Sequence, residues 1–125
     1  MDKRHYILIV IIALCSIACN SHYKHWDTLS QVESYIEERP DSALVVLEQI
    51  NTSELSGKEE KAKHALLYSM ALDKDFVDKT DFEVLQPAID YYEDNGSATD
   101  KLRTYYYRGR IYQNAGNDAL AMESF

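Results

Sequence analysis

The sequence is poor in the residues that break helices and in those that cross-link small domains. It contains four glycines, two prolines and two cysteines among 125 residues. Both cysteines, Cys15 and Cys19, lie at the end of an apolar run near the N-terminus, so the remaining chain can build neither a disulfide framework nor a cysteine-rich metal site. The β-branched residues do not alternate with polar ones, as they would in half-buried strands. These absences predict an all-α protein.

An excess of positive charge is also lacking. The 13 lysines and arginines are outnumbered by 21 aspartates and glutamates, which gives a net charge of −8. Proteins that bind nucleic acid need a dense basic face to neutralise phosphates, and the sequence has no such face. We therefore expect no nucleic acid partner.

The polar residues do not form a recognisable site for chemistry. No serine, cysteine or carboxylate pair comes with an identifiable base or oxyanion partner, so we expect neither catalysis nor a cofactor. His22 and His25 have the spacing of a metal-binding pair but no further ligands near them. Four aspartates resemble a calcium loop without its glycine and terminal glutamate, namely Asp73, Asp75, Asp78 and Asp81. We expect no metal site.

The first 18 residues have the organisation of an export signal. A basic leader at residues 1–6 precedes an apolar stretch at residues 7–18, which is too short to span a membrane comfortably. The following junction, Ser16-Ile17-Ala18-Cys19, resembles the cleavage box of bacterial lipoproteins, although leucine is commonest where Ser16 stands. The resemblance implies a signal peptide over residues 1–18.

In lipoproteins of this kind the cysteine becomes the lipidated first residue, so the resemblance implies lipidation of Cys19 and attachment to a membrane. Residues 19–25 would then form a tether. The tether lacks the acidic run associated with surface export, which favours a periplasm-facing orientation at the cell envelope. Two alternatives are a secreted protein cut near Ala18 and an uncleaved anchor extended towards Tyr23.

Apolar residues at helical spacing predict six helices in three pairs between residues 26 and 125. Pro40 separates the first two helices, and Asp41 or Ser42 can cap the second. Capping boxes starting at Ser56 and Thr80 predict the starts of the third and fourth helices. The predicted ranges are 26–38, about 41–50, 56–73, 80–93, 99–114 and 119–125.

Two of these predictions have details of their own. Pro87 lies inside the fourth range, so that helix is either kinked or regular only from about Gln86. The fifth helix can start at Thr99 or Asp100. It ends at the break formed by residues 115–118.

Each second helix carries an alanine followed four residues later by a large apolar residue. These pairs are Ala43 and Leu47, Ala88 and Tyr92, and Ala121 and Phe125. The last pair of helices, with Tyr105, Gly109, Tyr112 and Gly116 in register, resembles a tetratricopeptide repeat. The resemblance implies antiparallel helix pairs stacked as an α-solenoid after an N-terminal signal helix, with Gly109 and Ala121 allowing close approach of the two helices. A plain bundle of helical hairpins is the alternative.

The resemblance also implies where a ligand would bind. In such repeats the first helices line a concave groove, in which tyrosines, arginines and amides could hold an extended peptide. The alternative is an ordinary solvated helix face. The predicted groove residues are Tyr68, Arg103, Tyr106, Arg110, Gln113 and Asn114, with Ala65, Leu72, Asp75 and Phe76 at the other matching positions.

The whole arrangement resembles tetratricopeptide-repeat lipoproteins of Bacteroides-type bacteria. It implies an interaction scaffold at the cell envelope that binds a protein or peptide and has no enzymatic activity. An alternative is the N-terminal sensor segment of a longer membrane-bound signalling or transcriptional regulator. Because Phe125 falls within a predicted helix, we expect the repeat domain, residues 26–125, to belong to a longer array or to be completed by a partner.

Overall fold

The computed structural model describes residues 24–125 and, apart from them, Lys3. The predicted signal peptide, Cys19, His22 and most of the predicted tether lie outside these residues. Residues 24–125 form six α-helices and no strand, which confirms the all-α prediction for that part of the chain. The helices are α1 (Lys24–Tyr35), α2 (Pro40–Gln49), α3 (Gly57–Lys74), α4 (Gln86–Tyr92), α5 (Ala98–Asn114) and α6 (Asp118–Ser124), with a short 3-10 turn at Thr52–Glu54.

Helix α3 is the centre of the described fold. Each helix contacts the next one along the chain, and α3 in addition contacts both α1 and α5. Apolar residues occur all around α3, as expected for a helix covered by neighbours on most sides. The fully buried large side chains of the core are Leu29 and Val32 from α1, Ile36 from the turn directly after it, Leu47 from α2, Leu66, Leu67 and Met70 from α3, and Leu85 from the segment before α4.

Proline sets the boundaries of the first two helices. Helix α1 ends at Tyr35 rather than at Glu38, and the residues that follow form a turn in which Arg39 donates its N–H to the Tyr35 carbonyl. Helix α2 begins at Pro40, and neither Asp41 nor Ser42 caps it. Proline suits the first helical position because its fixed φ is helical and its missing N–H would be unpaired there in any case.

Both predicted capping boxes were wrong. Ser56 does precede α3, but its hydroxyl makes no capping bond, and its N–H donates to Glu60 rather than to Glu59, at 3.2 Å. Before α4, the carboxylate of Asp81 accepts the N–H of Glu83 at 3.0 Å, and no helix starts at Thr80. The alternative of a regular fourth helix from Gln86 is confirmed, because Pro87 fits the first turn of a helix and not its interior.

Helix α5 begins one residue earlier than predicted. The hydroxyl of Ser97 accepts the N–H of Asp100 at 3.1 Å, so Ser97 is the cap and Ala98 the first helical residue. The break after α5 is confirmed: Gly116 has a φ of +79°, and the Asn117 side chain caps α6. The chain then reverses direction, since Phe125 returns to contact Gly109.

Helix α3 ends in a Schellman motif that has an unusual residue at its left-handed position. The N–H of Phe76 bonds the Asp73 carbonyl, and the N–H of Val77 bonds the Leu72 carbonyl, which is the hydrogen-bond pattern of this motif. Glycine usually occupies the left-handed position, but here Phe76 has a φ of +62°. A β-carbon in that conformation crowds the backbone, so this turn is strained.

Candidate functional site

The predicted groove arginines are paired within the chain. Arg103 donates to Glu33 of α1 at 3.1 Å, and Arg110 donates from Nε to Asp73 of α3 at 3.1 Å and from its guanidinium to Gln113 at 2.7 Å. These arginines connect α5 to α1 and α3. A peptide that recruited them would first have to displace charge-assisted hydrogen bonds, which are among the stronger polar contacts in proteins.

Asn114 is also occupied by the chain itself. Its side-chain amide donates to the backbone carbonyl of Lys79 at 3.1 Å, which fixes the segment between α3 and α4 against α5. Asn114, Arg110 and Asp73 line a cavity of about 10 Å³, which is roughly the space of one water molecule. This cavity is too small for a peptide side chain.

Glu33 is shared between two cations. It accepts from Arg103 and from Lys63 of α3, and Lys63 also lies 3.4 Å from Asp100 of α5. The Lys63 side chain is only 9% exposed, so its charge depends on these carboxylates for compensation. The network joins α1, α3 and α5 through polar contacts and holds the predicted groove residue Arg103 in place.

Tyr68 lies in a different part of the molecule from the α5 residues. Its ring stacks on His64 with centroids 5.7 Å apart, and both line an open groove of about 540 Å³ across α3. The walls come from the segments before α3 and before α4, including Thr52 and Val84. Burial is the main cause that raises the pKa of Tyr68, and the nearby Glu48 carboxylate is the second. The phenol therefore stays neutral and can donate a hydrogen bond.

His64 is a fixed part of this groove. Its Nε2 lies 3.0 Å from the carbonyl of Leu47, and because a carbonyl only accepts, Nε2 carries the hydrogen. Burial lowers the pKa of His64 in spite of the opposing effect of this hydrogen bond. A neutral imidazole with one tautomer therefore links α3 to α2. The His64 side chain is buried, so this link is shielded from solvent.

Tyr106 belongs to an exposed apolar surface on the last helix pair. It lies edge-on to Tyr107 at 5.0 Å and tilted against Phe125 at 5.8 Å. Leu102, Tyr105, Tyr106 and Phe125 line an open groove of about 350 Å³. We call these four residues the open surface. Exposed apolar residues scattered singly are normal, but a contiguous group is typical of a binding site.

The predicted site is therefore divided among three environments. The structure brings Arg103, Arg110, Gln113 and Asn114 into contacts within the chain, places Tyr68 in the groove across α3, and leaves Tyr106 on the open surface. The other matching positions are also dispersed: Ala65 and Leu72 are buried, while Phe76 projects into solvent. A peptide-binding role for the six predicted residues stays a prediction.

Sequence reasoning did not assign a site to Leu102. Leu102 lies three residues before Tyr105 and four before Tyr106, and residues at these spacings are neighbours on one face of a helix. This spacing is the sequence signal that could have identified the open surface. Phe125 is the large apolar residue of the last alanine pair, four residues after Ala121. Its ring does lie against Gly109, but 60% of the residue remains exposed.

Among residues 24–125, no three histidine, cysteine or acidic side chains are grouped closely enough to hold a metal ion. Within the described part of the chain, none of the helices combines the length and apolar character needed to cross a membrane. His25, which the sequence placed in the tether, lies in α1 with its Nε2 3.4 Å from Glu54.

Comparison of the chain with models of protein families, with curated proteins and with solved structures found no match. The open surface is a contiguous group of apolar side chains on the last helix pair.

Proposed function

We propose that this chain is a lipid-anchored, tetratricopeptide-like scaffold that binds another protein at the cell envelope of a bacterium. The observation that carries the proposal is the open surface, formed by Leu102, Tyr105, Tyr106 and Phe125. Two of the four residues are tyrosines, which are enriched among the few residues that contribute most of the binding energy at protein interfaces.

The contacts among the helices support a stacked arrangement. The first helices of the three pairs, α1, α3 and α5, are neighbours in that order, and each second helix packs against the first helix of its own pair. Helices α2 and α4 also pack against the first helix of the next pair. This is the contact pattern expected of repeats that bury their apolar faces by stacking.

The proposed scaffold function does not require a catalysed reaction. Its mechanism is the presentation of a shaped apolar surface by helices that are held rigid through buried packing and through the ion pairs of Glu33, Lys63 and Arg103. A rigid surface loses less conformational entropy on binding than a mobile one. The lipid on Cys19 would hold this surface close to the membrane.

The scaffold is tested by affinity purification from cross-linked envelopes with matched variants. Leu102→Asp places a charge on the open surface, and Val45→Asp makes the same kind of change at an exposed apolar position of α2. We expect a specific partner that is retained by Val45→Asp and lost by Leu102→Asp. Equal recovery with both variants would contradict the proposal.

The anchor is tested separately by metabolic labelling with palmitate. The wild-type chain should take up the label and lack its first 18 residues, whereas Cys19→Ala should remain unlabelled. Recovery of an intact Met1 on the wild-type protein would remove the lipid anchor from the proposal and leave the open surface unaffected.

A further inference from the structure

We infer that Phe76 is an anchor residue whose ring enters an apolar pocket with a basic rim on a partner protein. Phe76 lies between α3 and α4, away from the open surface, so the inference goes beyond the proposed scaffold function and does not depend on it. It is carried by the backbone conformation of Phe76, by the exposure of its ring and by the charge of the residues around it.

The backbone of Phe76 has a conformation that a bulky side chain rarely adopts. Its φ is +62°, and the other positive values among residues 24–125 belong to glycines, namely Gly57, Gly96 and Gly116. An L-residue in this region has its β-carbon crowded against the backbone, whereas glycine adopts it without strain. Residues strained in this way are concentrated at functional sites, where the surrounding structure holds them in place.

Burial of the Phe76 ring does not offset this strain. The residue is 91% exposed, the highest value among the exposed large apolar residues of the described chain. A single exposed apolar residue is ordinary on a protein surface and requires no explanation by itself. At Phe76, however, the exposed ring is combined with a strained backbone that glycine would relieve. A role for the ring outside the fold accounts for both features.

The exposure of Phe76 is not that of a chain end. The residue lies inside the described part of the chain, and the helices on both sides of it, α3 and α4, are described. Its neighbour Val77 lies with Tyr107 and Ile111 of α5 around the small cavity. Phe76 therefore projects from a surface to which α3 and α5 both contribute.

The turn after α3 holds the Phe76 ring in a fixed position. The N–H groups of residues 75–77 donate to carbonyls in the last part of α3, at 2.9, 3.2 and 2.8 Å. The Lys79 carbonyl accepts a further bond from Asn114, which fixes the same segment against α5. An anchor that is preorganised in this way loses little conformational entropy on binding, and this favours its affinity.

The bond between Lys79 and Asn114 also separates Phe76 from the open surface. It places the turn at the C-terminal end of α5, whereas Leu102 and Tyr105 lie in the first half of that helix. Asn114 follows Tyr105 by nine residues, which is roughly 14 Å along a helix. A partner bound through Phe76 therefore has a contact of its own.

The residues around Phe76 specify the rim of the partner's pocket. Residues 75–83 contain four acidic residues and one basic residue, Lys79. Asp75 and Asp78 lie within two positions of Phe76, and neither takes part in an ion pair described for the chain. Their charges are therefore available to a partner. A pocket whose rim carries lysine or arginine is the electrostatic complement of this segment.

A membrane surface and a second copy of this chain fit Phe76 less well. Anionic lipid headgroups would repel the acidic residues around the ring. A second copy would bring together two chains that each carry a net charge of −8, and a net charge far from zero opposes self-association. The experiment distinguishes both of these occupants from a partner protein.

The partner is identified by photo-cross-linking in living cells with a benzophenone amino acid at position 76, which keeps an aromatic ring there. Val45, an exposed apolar residue of α2, is the control position. We expect one protein that cross-links from position 76 and not from position 45, at an apolar residue with lysine or arginine beside it. A cross-link confined to lipid, to this chain or to a second copy would overturn the inference, as would none above the control.

The affinity of that purified partner for full-length variants then tests the role of the ring. Phe76→Gly should weaken binding about tenfold or more, as expected for loss of an aromatic anchor, while the fold becomes more stable because the strain is removed as well. Phe76→Leu keeps an apolar side chain and should bind more tightly than Phe76→Gly. Because stability and affinity change in opposite directions, unfolding cannot account for the loss of binding. An affinity that Phe76→Gly leaves unchanged would overturn the inference.

The basic rim is tested by two double variants that change the net charge equally. Asp75→Asn with Asp78→Asn should weaken binding and reduce its dependence on ionic strength, because part of the attraction is between charges. Asp90→Asn with Asp94→Asn changes two exposed carboxylates elsewhere and should leave the affinity unaltered. Equal effects of the two double variants would overturn the basic rim. None of these variants alters a residue of the open surface, so their failure would leave the proposed scaffold function intact.

Discussion

The ring of Phe125 lies directly against the backbone of Gly109, so closely that a β-carbon at position 109 would be 2.3 Å from the ring Cε1. This contact closes the last helix pair, because it brings the end of α6 back to the middle of α5. It also leaves the other face of the ring in solvent, where it forms part of the open surface.

The effect of Gly109→Ala follows from this contact. The added methyl group must displace the Phe125 ring, which is mostly exposed and can therefore shift towards solvent, while alanine favours the helix by about 1 kcal/mol over glycine. We expect the free energy of unfolding to change by no more than about 1 kcal/mol, and the ring resonances of Phe125 to shift. NMR checks this directly: Gly109 α-protons in the wild type should show a ring-current shift that Phe125→Leu removes. A wild-type protein without that shift would contradict the contact.

The difference in burial between Tyr92 and Phe125 predicts unequal effects of truncation. Tyr92 is almost fully buried, so Tyr92→Ala should destabilise the fold by about 3–5 kcal/mol. Phe125→Ala removes a ring that is mostly exposed and should cost roughly 1 kcal/mol or less. Urea denaturation of both variants measures the two values. Similar losses of stability would show that Phe125 is covered in solution.

The strained turn after α3 predicts a stabilising substitution. Phe76 has a φ of +62°, which costs an L-residue about 1–2 kcal/mol and glycine almost nothing. Because Phe76 is exposed, Phe76→Gly should raise the free energy of unfolding by roughly 0.5–1 kcal/mol after allowance for the greater flexibility of unfolded glycine. Phe76→Ala keeps the strain and serves as the control. A stabilisation by alanine equal to that by glycine would rule out strain as the cause.

The buried imidazole of His64 predicts a pH dependence of stability. Since the pKa of His64 is lowered from its usual value of 6.5, the unfolded chain takes up the proton first as the pH falls. The His64 contribution is thus complete above pH 6.5 and declines below it, until the pH reaches the folded pKa. Asp41, whose pKa is lowered chiefly by a hydrogen bond from Arg39, acts in a separate window below its usual value of 3.8.

This dependence is checked with His64→Gln, which keeps a donor for the Leu47 carbonyl and does not titrate. Urea denaturation between pH 7.5 and pH 5 should show a larger loss of stability for the wild type than for the variant. Parallel profiles for the two proteins would mean that His64 is not the group responsible.

Local features of this fold could be predicted from sequence because they depend on residues close together in the chain. The three helix pairs follow from apolar periodicity, and the boundaries near Pro40, Pro87 and Gly116 follow from the backbone limits of proline and glycine. The predictions of the two capping boxes were wrong because a neighbouring side chain made the hydrogen bond instead. At the start of α3, for example, the Ser56 N–H donates to Glu60 and not to Glu59.

The polar contacts of the candidate site could not be predicted in this way. The bond from Arg103 joins it to a residue 70 positions away, and the bond from Arg110 joins residues 37 positions apart. Helical periodicity places these arginines on one face of α5 but does not say which carboxylates face them. The positive φ of Phe76 also has no sequence signal, because glycine or asparagine is the residue that usually indicates such a turn.

The most direct test of the account is photo-cross-linking in living cells with a benzophenone amino acid placed at single positions. Tyr105, Tyr106 and Phe125 belong to the open surface, and Val45 on α2 is the exposed control. We predict one protein partner cross-linked from all three surface positions and not from Val45. Cross-links that form equally well from Val45, or none from the three surface positions, would contradict the claim that this face of the last helix pair is where the protein binds its partner.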